Sequence, residues 1–402
     1  MPISGNINNY SKPYPIGIIG GGQLALMLVE AAKERDIKVC IQTKSFDDPA
    51  ALKADKVIPA DPLQIKGNKT LLKNCEKVIF ENEWVKIEKL KQIGSEVFFI
   101  PDLDSLDPLV DRISQKRFID KLNLPSPKWL PIKDFKNLVG ENLKKWNFPM
   151  MAKSYKGGYD GKGNKKISSK EELDDFLNLN TSEEWIIEEW IDYEKEIALI
   201  GSRDNDGVIR VFPIVETYQS NNVCHWVLSP AKTSYEIDLF AYNIFSSIVN
   251  ELNYVGVLGI EFFFGKSGLL INEIAPRTHN SGHFSIEACN SSQFDQQICI
   301  SSGIKPPDIN MNSQGALMIN LLGLRKNHSL NIEDRINKLS SINGANIHWY
   351  GKSKETFGRK MGHITFLLYE NNHEKRCEKA NSLKKEVNNI WPSPYDLKNR
   401  LS

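Results

Sequence analysis

Apolar runs alternate with polar segments along the first hundred residues, and their spacing matches strands and helices in turn. In PIGIIGGGQLALMLVEAAKERDIKVCIQT, residues 15–43, an apolar run stops at three glycines, apolar residues then recur at helical spacing, and a second apolar run follows. This order predicts one strand–helix–strand unit. Similar apolar runs at 56–59, 77–80 and 97–100 repeat the pattern, which predicts an open parallel sheet up to about residue 105.

The middle of the chain follows a different pattern, in which apolar strands succeed one another with short turns. A helix predicted over 108–124 ends at the prolines of LPSPKW, and residues 150–167 then form a strand, a glycine-rich loop and a strand. Farther along, GVLGIEFFFGKSGLLINEIA, residues 256–275, predicts a hairpin that turns between Gly265 and Gly268. These elements predict an α+β region with mostly antiparallel strands.

Three apolar segments after about residue 312 predict further short strands. They are GALMINLLG, NIHWY and GHITFLLY. We expect them to form a small third unit.

Composition and charge exclude several classes of protein. With 51 basic and 50 acidic residues, the net charge of +1 gives no general electrostatic reason to expect a nucleic-acid or membrane partner. The six cysteines are scattered without a C-x-x-C pair, which favours reduced thiols over a disulfide framework or a zinc site. Residues 1–15 lack an apolar core, and no run of about eighteen apolar residues occurs. We therefore expect a soluble cytoplasmic protein.

Two glycine-rich loops are candidate phosphate sites. Gly20 to Gly22, followed by Gln23, lies between a strand and a helix, where backbone amides can hold a phosphate. The spacing departs from G-x-G-x-x-G because Ala25 occupies the third glycine position. A dinucleotide site, a tight turn and a phosphate site for another ligand all remain open.

The second loop, GGYDGKG at residues 157–163, has four glycines in seven positions, and Lys153, Lys156 and Lys162 surround it. This composition suits a flap that closes over polyphosphate. A solvated hairpin tip is the alternative, and the spacing of a P-loop is missing.

Two carboxylates, Glu261 and Glu273, lie in the two apolar strands of the predicted hairpin. Burying either carboxylate ionised without a partner costs several kcal/mol. If the strands pair as predicted, the carboxylates come close and share a divalent cation, for which Mg²⁺ is the best candidate. The alternative is that both lie on a solvated face.

The segment NEIAPRTHNSGH, residues 272–283, follows the second of these strands and holds Arg277, His279, Asn280 and His283. Strand ends are where ligands bind in α/β proteins. His279 and His283 have the spacing of a helical zinc face, but Asn280-Ser281-Gly282 favours a turn, in which His283 anchors the loop. From these residues alone the protein is an ATP-dependent ligase or another phosphate-binding enzyme.

Several stretches, taken together, resemble one family. They are GIIGGGQLALML, KSYKGGYDGKGN, GVLGIEFFF, NEIAPRTHNSGH followed by FSIEACNSSQFDQ, and YGKSKETFGRKMGH. In this order, from about residue 15 to about 368, they resemble the ATP-grasp enzymes of the N5-carboxyaminoimidazole ribonucleotide synthetase family, the ATPase subunit of phosphoribosylaminoimidazole carboxylase.

The resemblance implies an ATP-grasp fold that combines α/β and α+β parts. Residues 1–108 would form an N-terminal Rossmann-like, biotin-carboxylase-like domain that binds no dinucleotide. Residues 109–310 would form the ATP-grasp domain, with a lid at about 125–190 that covers ATP. Residues 311–402 would form a small C-terminal domain and tail, and the C-terminal, metal-binding part would have a small barrel-like end.

The resemblance also implies the reaction. Bicarbonate and 5-aminoimidazole ribonucleotide would be joined at the expense of ATP, through carboxyphosphate, in de novo purine synthesis. The cofactors would be ATP and Mg²⁺, which Mn²⁺ can replace. A homodimer is expected, with no nucleic-acid or membrane partner.

Roles for individual residues follow from the resemblance, position by position. The ATP phosphates would meet the flap and nearby cations, namely Arg112, Lys153, Gly157, Gly158, Tyr159, Gly161, Lys162 and Gly163. Adenine would meet Glu188, Glu189 and Ile191, and the ribose would meet Glu196. Glu261 and Glu273 would bind Mg²⁺.

The remaining roles concern the second substrate. Arg277 would stabilise the phosphoryl and carboxyphosphate charge, His279 and Asn280 would contact the aminoimidazole, and Asp160 would accept the proton of its amine. The substrate residues would be Gly22, Gln23, Lys352, Arg359 and Lys360, the last three for its 5'-phosphate.

Some positions depart from the family pattern, and two alternatives stay open. Ala25 replaces a glycine, Ser154 and Tyr155 precede the flap, and the tail after about residue 369 matches no known part. A sister ATP-grasp enzyme, formate-dependent glycinamide ribonucleotide transformylase, would share the metal carboxylates. A non-catalytic nucleotide-binding regulator could dispense with Glu261, Glu273 and Arg277.

Overall fold

The structure is a computed structural model. It describes residues 11–94, 98–138, 144–155, 163–180, 184–324, 330–352 and 354–395. Three sheets hold its strands together.

The first sheet is parallel and has five strands in the order β3-β2-β1-β4-β5. Its strands are β1 (Tyr14–Ile19), β2 (Val39–Thr43), β3 (Lys56–Pro59), β4 (Cys75–Phe80) and β5 (Phe99–Ile100). Its helices are α1 (Gln23–Glu34), α2 (Ile65–Asn74), α3 (Ile87–Lys91) and α4 (Leu103–Leu106), with 3-10 turns at Pro49–Leu52 and Asp107–Leu109. The predicted open parallel sheet is confirmed, since strands buried on both faces carry nearly continuous apolar sequence.

The second sheet has four antiparallel strands in the order β6-β9-β7-β8. Its strands are β6 (Trp129–Pro131), β7 (Met150–Ser154), β8 (Asn164–Ile167) and β9 (Trp185–Glu189). Helices α6 (Ile132–Lys136) and α7 (Lys170–Leu179) pack on this sheet, whereas α5 (Arg112–Lys121), which precedes it in the chain, packs in the core of the third sheet. Asp111 caps α5 by accepting a hydrogen bond from the Ser114 amide, and this cap fixes the start of the helix that carries Arg112 and Lys116.

The third sheet is antiparallel and has nine strands, in the order β15-β14-β10-β12-β13-β16-β18-β17, with β11 beside β10. The first strands are β10 (Lys195–Arg203), β11 (Ile209–Val211), β12 (Val215–Ser220), β13 (Val223–Ser229), β14 (Gly256–Gly265) and β15 (Gly268–Ala275). The last three are β16 (Gly315–Leu322), β17 (Asn346–Trp349) and β18 (Lys360–Leu368). Helices α8 (Tyr235–Glu251), α9 (Ser285–Ala288), α10 (Gln293–Ser302), α11 (Ile332–Ser340) and α12 (His373–Ile390) pack around the sheet, and a 3-10 turn spans Asn280–Gly282.

The barrel-like end expected of the C-terminal part is wrong for the strands that the structure describes. Strand β16 pairs with β13 along Ala316 to Ile319, so the three C-terminal strands extend the sheet of the central region. Because β17 lies at the open edge, this part of the sheet does not close on itself.

The tail after about residue 369, which matches no known part of the family, forms α12 and packs on this sheet. Its Leu383 and Val387 are buried in the C-terminal core, and the Trp391 indole donates a hydrogen bond of 2.7 Å to the Leu322 carbonyl. The tail is therefore part of the packed structure up to residue 395.

The first sheet is joined to the central region through α1 and α10. Arg35 forms a two-point ion pair with Asp295, and Leu28 packs in one apolar core with Phe294 and Ile298. None of the helices described is long and apolar enough to cross a membrane. All six cysteines are free thiols, as their scattered positions predicted.

Candidate active site

A cavity of about 620 Å³ lies where the three sheets meet. Each sheet supplies part of the wall, for example Glu81 after β4, Lys153 of β7 and Glu261 of β14. The predicted site residues that line it are Gly22, Gln23, Arg112, Lys153, Glu188, Glu189, Ile191, Glu196, Glu261, Glu273, Arg277, His279, Asn280, Lys352, Arg359 and Lys360. Residues far apart in the sequence thus come together in one place.

The flap itself is described only at its end. Gly157, Gly158, Tyr159, Asp160, Gly161 and Lys162 lie outside the described residues. Gly163 has a φ of 83°, a conformation that favours glycine, and its carbonyl accepts a hydrogen bond of 2.7 Å from the Ser154 amide. It closes the base of the β7–β8 loop and is not among the residues lining the cavity.

Two lysines hold one buried glutamate at the β7–β9 side of the cavity. Lys153 Nζ lies 2.6 Å from one oxygen of Glu188, and Lys116 Nζ lies 2.9 Å from the other. Both contacts are ion pairs between nearly inaccessible side chains. Burial opposes the charged form of Glu188, yet the two lysines outweigh it and hold the pKa down to about 2. Lys153 also donates to Asn272 at 3.0 Å.

The same side of the cavity has a flat apolar wall. The rings of Tyr193 and Phe263 stack with centroids 4.7 Å apart. The Tyr193 hydroxyl donates to Glu196 at 2.7 Å, and burial raises the pKa of Glu196. Glu189 accepts a hydrogen bond from the Lys128 amide at 2.8 Å. A planar base and a hydroxyl-bearing ring fit such a wall.

The predicted carboxylate pair is confirmed by the strand register. Glu261 of β14 lies directly opposite Glu273 of β15, next to a β-bulge between Glu261 and Phe262. Burial, and then the negative charge of Glu273, raise the pKa of Glu261 to about 8. Gln219 Nε2 donates to Glu261 at 3.4 Å, and the Arg112 guanidinium lies 3.6 Å from Glu273. The Gln219 amide and the Arg112 guanidinium neutralise the negative charge of this pair only in part. Two facing carboxylates in this state suit a divalent cation.

The fit to Mg²⁺ depends on ligands from outside the chain. Within the described ranges, no group of three or more His, Cys, Asp and Glu side chains is placed to hold a metal. Mg²⁺ typically takes one or two carboxylates and completes its shell with phosphate oxygens and water. The pair Glu261 and Glu273 fits that donor set.

Arg277 is held by an ion pair that joins two regions of the chain. Its Nε donates to Glu83, after β4, at 2.6 Å, and its Nη1 donates to the Thr278 carbonyl at 3.1 Å. Strand β15 positions the arginine backbone and the first sheet positions its partner. These two hydrogen bonds fix the guanidinium at the cavity wall.

The loop after Arg277 forms a turn, as predicted, and not a zinc-binding helical face. The backbone of His279 exchanges two hydrogen bonds with the Gln293 amide, at 2.8 and 2.7 Å. Nδ1 of His279 accepts from the Ser281 amide at 3.4 Å, so Nε2 carries the proton and faces Glu261 at 3.5 Å. Burial, together with Arg277, lowers the pKa of His279 to about 3, so the ring is neutral.

Asn280 and His283 are tied to the surrounding structure in different ways. Asn280 and Asn320 of β16 exchange two amide hydrogen bonds, at 3.0 and 2.8 Å. His283 is buried and contacts the Gln293 amide at 3.1 Å, which agrees with its predicted role as an anchor of the loop.

The glycine turn and the basic residues Lys352 and Lys360 lie together at the cavity wall. Lys352 donates to Gln23 at 2.8 Å and also to the Lys360 carbonyl. The Gly22 amide, at the start of α1, donates to Glu81 at 2.8 Å. Burial raises the pKa of Glu81. A carboxyl group therefore lies at this helix end, and the phosphate interpretation of the glycine turn stays a prediction.

Sequence reasoning missed several residues of the wall. They are Glu81, Glu83, Gln115, Gln219 and Asn272. Glu81 and Glu83 follow directly on an apolar strand, in FENE, so the rule that ligands bind at strand ends could have found them. Gln115 holds α5 against β15 through two hydrogen bonds of 2.8 Å with the Ile274 backbone. No local sequence pattern predicts this contact, because the two residues are 159 positions apart.

Comparison with known families covers most of the chain. Residues 14–108 match the ribonucleotide synthetase preATP-grasp domain, residues 117–294 the ATP-grasp domain, and residues 316–376 the phosphoribosylaminoimidazole carboxylase C-terminal domain. The fold is therefore the ATP-grasp fold expected from the sequence.

Individual relatives agree with this. N5-carboxyaminoimidazole ribonucleotide synthase of Synechococcus elongatus is 37% identical over 380 residues, which is 94% of this chain and 96% of the relative. The structure of the Staphylococcus aureus synthetase complexed with ADP has a TM-score of 0.84 at 29% identity, covering 95% of this chain and 99% of the other. The Aspergillus clavatus synthase, in complex with ADP and 5-aminoimidazole ribonucleotide, has a TM-score of 0.81 at 27% identity, covering 94% and 99%.

Proposed function

The chain belongs to the N5-carboxyaminoimidazole ribonucleotide synthase family of ATP-grasp enzymes, and on this basis we propose that it carboxylates 5-aminoimidazole ribonucleotide with bicarbonate and ATP. The products are N5-carboxyaminoimidazole ribonucleotide, ADP and phosphate, in de novo purine synthesis. One observation carries the assignment of the site. Facing carboxylates, the buried Lys153 with its partner Glu188, and a fixed arginine line the same cavity.

ATP occupies the side of the cavity formed by the second sheet. Lys153, with Arg112 and the flap of residues 157–163, contacts the phosphates. The base lies against the strand segment Glu188, Glu189 and Ile191, and Glu196 accepts hydrogen bonds from the ribose. The Tyr193–Phe263 stack beside Glu196 supports this placement, because it gives the nucleoside a flat wall.

Glu261 and Glu273 hold Mg²⁺, or Mn²⁺ in its place. The cation supplies charge neutralisation for the transferring phosphoryl group. The chain's own part is to keep both carboxylates in register across the hairpin, and Gln219 orients Glu261 by its hydrogen bond.

In the first step, a bicarbonate oxygen attacks the γ-phosphorus of ATP, the bond to the ADP oxygen breaks, and carboxyphosphate forms. Negative charge develops on the phosphoryl oxygens. Arg277 meets this charge, and its position is held by Glu83. His279 is neutral and donates a hydrogen bond through Nε2. The ring can therefore orient an anion and does not take a proton from that anion.

In the second step, the exocyclic amine of the ribonucleotide attacks the carbonyl carbon of carboxyphosphate. The carbon–oxygen bond to phosphate breaks, phosphate leaves, and Asp160 of the flap accepts the proton from the amine. His279 and Asn280 contact the aminoimidazole, near Gly22 and Gln23. Lys352, Arg359 and Lys360 bind the 5'-phosphate at the end of the cavity away from the lysine–glutamate cluster.

A homodimer in the cytoplasm completes the proposal. Its support is the family membership and, for a reducing compartment, the six free thiols.

The test is a measurement of ADP release with each substrate omitted in turn. ADP release should need both 5-aminoimidazole ribonucleotide and bicarbonate, and carboxylated product should form in equal amount. ADP release with glycinamide ribonucleotide and formate instead would assign the sister activity. Binding of ATP without any turnover would assign a regulator.

A further inference from the structure

A second cavity, of about 270 Å³, lies outside the proposed active site, between the third sheet and the C-terminal helix α12. Tyr218 and His225 line it, whereas their chain neighbours Gln219 and Cys224 line the first cavity. Successive residues of a strand point to opposite faces. A β-bulge between Tyr218 and Gln219 interrupts this alternation, and neighbouring residues of the same two strands line the two cavities.

The walls of the second cavity are flat aromatic rings. Tyr218 and Trp226 stack with centroids 5.4 Å apart and planes 9° apart, and His225 meets Tyr218 edge-on at 6.1 Å. Trp391 also lines the cavity and is fixed by its hydrogen bond to the Leu322 carbonyl. Rigid aromatic walls of this kind accept a planar ring at little entropic cost.

The cavity also has a positive charge. Lys384 of α12 places Nζ 4.0 Å from the centroid of the Trp226 ring. Burial lowers the pKa of Lys384, and the negative charges of Cys377 and Glu216 act against this shift.

A polar pair of side chains lies at the cavity wall. His225 is 6% exposed, and its Nδ1 lies 3.4 Å from the hydroxyl of Ser393, which also lines the cavity. A polar atom of a ligand can form a hydrogen bond with this pair.

We propose that the second cavity binds a planar heteroaromatic anion. The ring packs on Tyr218 and Trp226, the anionic group faces Lys384, and a ring heteroatom or substituent reaches His225. The volume is below the range of about 300–1,000 Å³ typical for drug-sized ligands, so the ligand has one or two fused rings.

One side chain connects this cavity to the active site. Asn320 lines the second cavity and exchanges two hydrogen bonds with Asn280 of the first. A ligand that shifts Asn320 must therefore alter the position of Asn280. Through the proposed role of Asn280, occupancy changes the affinity for the ribonucleotide, and the linkage is reciprocal.

Calorimetry on the full chain tests the site, with ADP and ribonucleotide filling the first cavity. Three probes separate charge from shape: indole-3-carboxylate, neutral indole and non-aromatic cyclohexanecarboxylate. We expect indole-3-carboxylate to bind at least about tenfold more tightly than either of the others, since each lacks one of the two interactions. Equal binding of all three, or no binding of indole-3-carboxylate at millimolar concentration, would overturn the proposal.

Two variants locate the binding. Lys384→Met removes the charge and keeps the length, and it should weaken indole-3-carboxylate about tenfold or more. Lys379→Met, on an exposed position of the same helix, is the matched control and should change nothing. His225→Phe, which keeps an aromatic ring, gives a second check that does not depend on the lysine. If the probe binds Lys384→Met and His225→Phe as tightly as the unaltered chain, the assigned cavity is wrong.

The connection through Asn320 has its own readout. The KM for the ribonucleotide should change at least about twofold when indole-3-carboxylate is saturating, while the KM for ATP stays constant. An unchanged KM would overturn the connection to Asn280. This step rests on the proposed function, whereas the loss of probe binding in Lys384→Met and His225→Phe can be measured without ADP or ribonucleotide, so the two can fail separately.

Discussion

Two glutamates of the active-site cavity, Glu188 and Glu261, differ in how their charge is balanced. Lys116 and Lys153 contact Glu188 directly, and its pKa falls to about 2 although burial acts against ionisation. Glu261 is also enclosed, but it faces Glu273, and its pKa rises to about 8. The comparison separates charges that the chain neutralises itself from charges that await a ligand. The second kind indicates where a cation binds.

The largest effect, on the free energy of unfolding, is expected from breaking the cluster of Glu188 with Lys116 and Lys153. Glu188→Gln leaves Lys116, which is only 3% exposed, beside Lys153 with no carboxylate between them. Loss of one partner from a buried ion pair costs about 3–5 kcal/mol of unfolding free energy. Urea unfolding of the protein without nucleotide measures this. Glu189→Gln, at the neighbouring position, is the control and should cost less than about 1 kcal/mol. Equal midpoints for the two variants would show that the cluster is not balanced as described.

Replacing one carboxylate of the pair Glu261 and Glu273 should affect catalysis and leave folding intact. Glu273→Gln should reduce ATP turnover about a hundredfold, or about 2.7 kcal/mol, because stabilisation of the transferring phosphoryl group is lost. Thermal unfolding without nucleotide should show equal or higher stability, since the repulsion with Glu261 is gone. Near-normal turnover at saturating Mg²⁺ would contradict the metal assignment.

The pH dependence sharpens the comparison further. The folded-state pKa of Glu261 lies above its ordinary value, so its contribution to stability is present below about pH 4.5 and is lost as the pH rises to about 8. A bound cation competes with that proton. The affinity for Mg²⁺ with ADP should therefore rise by up to about tenfold per pH unit between pH 6 and 8.

Titration calorimetry at several pH values checks this expectation. Glu261→Gln should bind Mg²⁺ with ADP weakly and without this slope. A slope that persists in the variant would place the titrating group elsewhere.

The smallest effect concerns the pair of Glu83 and Arg277. Glu83→Gln keeps a hydrogen-bond acceptor for the guanidinium but removes the charge that fixes it. We expect kcat to fall about tenfold or less, because the arginine is retained and only its orientation is loosened. The control is Glu88→Gln, on an exposed position of α3, which should leave kcat unchanged. A loss as large as that of Glu273→Gln would mean that Glu83 itself contacts substrate.

Much of this site could be predicted from local sequence. The alternating apolar strands on either side of Gly265 to Gly268 fixed the hairpin, and the hairpin register brought Glu261 opposite Glu273. The turn at Asn280 followed from its Asn-Ser-Gly sequence. These predictions succeeded because strand pairing across a short turn is a local property.

The rest depends on contacts between distant segments. The partner of Glu188 on α5, Lys116, is 72 positions earlier in the numbering, and Glu83 is separated from Arg277 by 194 positions. The periodicity of apolar residues in helices and strands does not predict pairs so far apart in the sequence. The contact of Glu81 with the start of α1 is of the same kind, since Glu81 follows β4 and lies 59 positions after Gly22.

The pairing of β13 with β16 decides where the chain can be cut. Strand β16 covers the edge of β13 along Trp226 to Ser229. A chain ending near residue 310, the predicted boundary of the last domain, would expose the free N–H and C=O groups of that edge. Exposed strand edges pair with one another and lead to aggregation. The C-terminal strands therefore act as a protective cover for the catalytic sheet, and a truncated enzyme should precipitate before its activity can be measured.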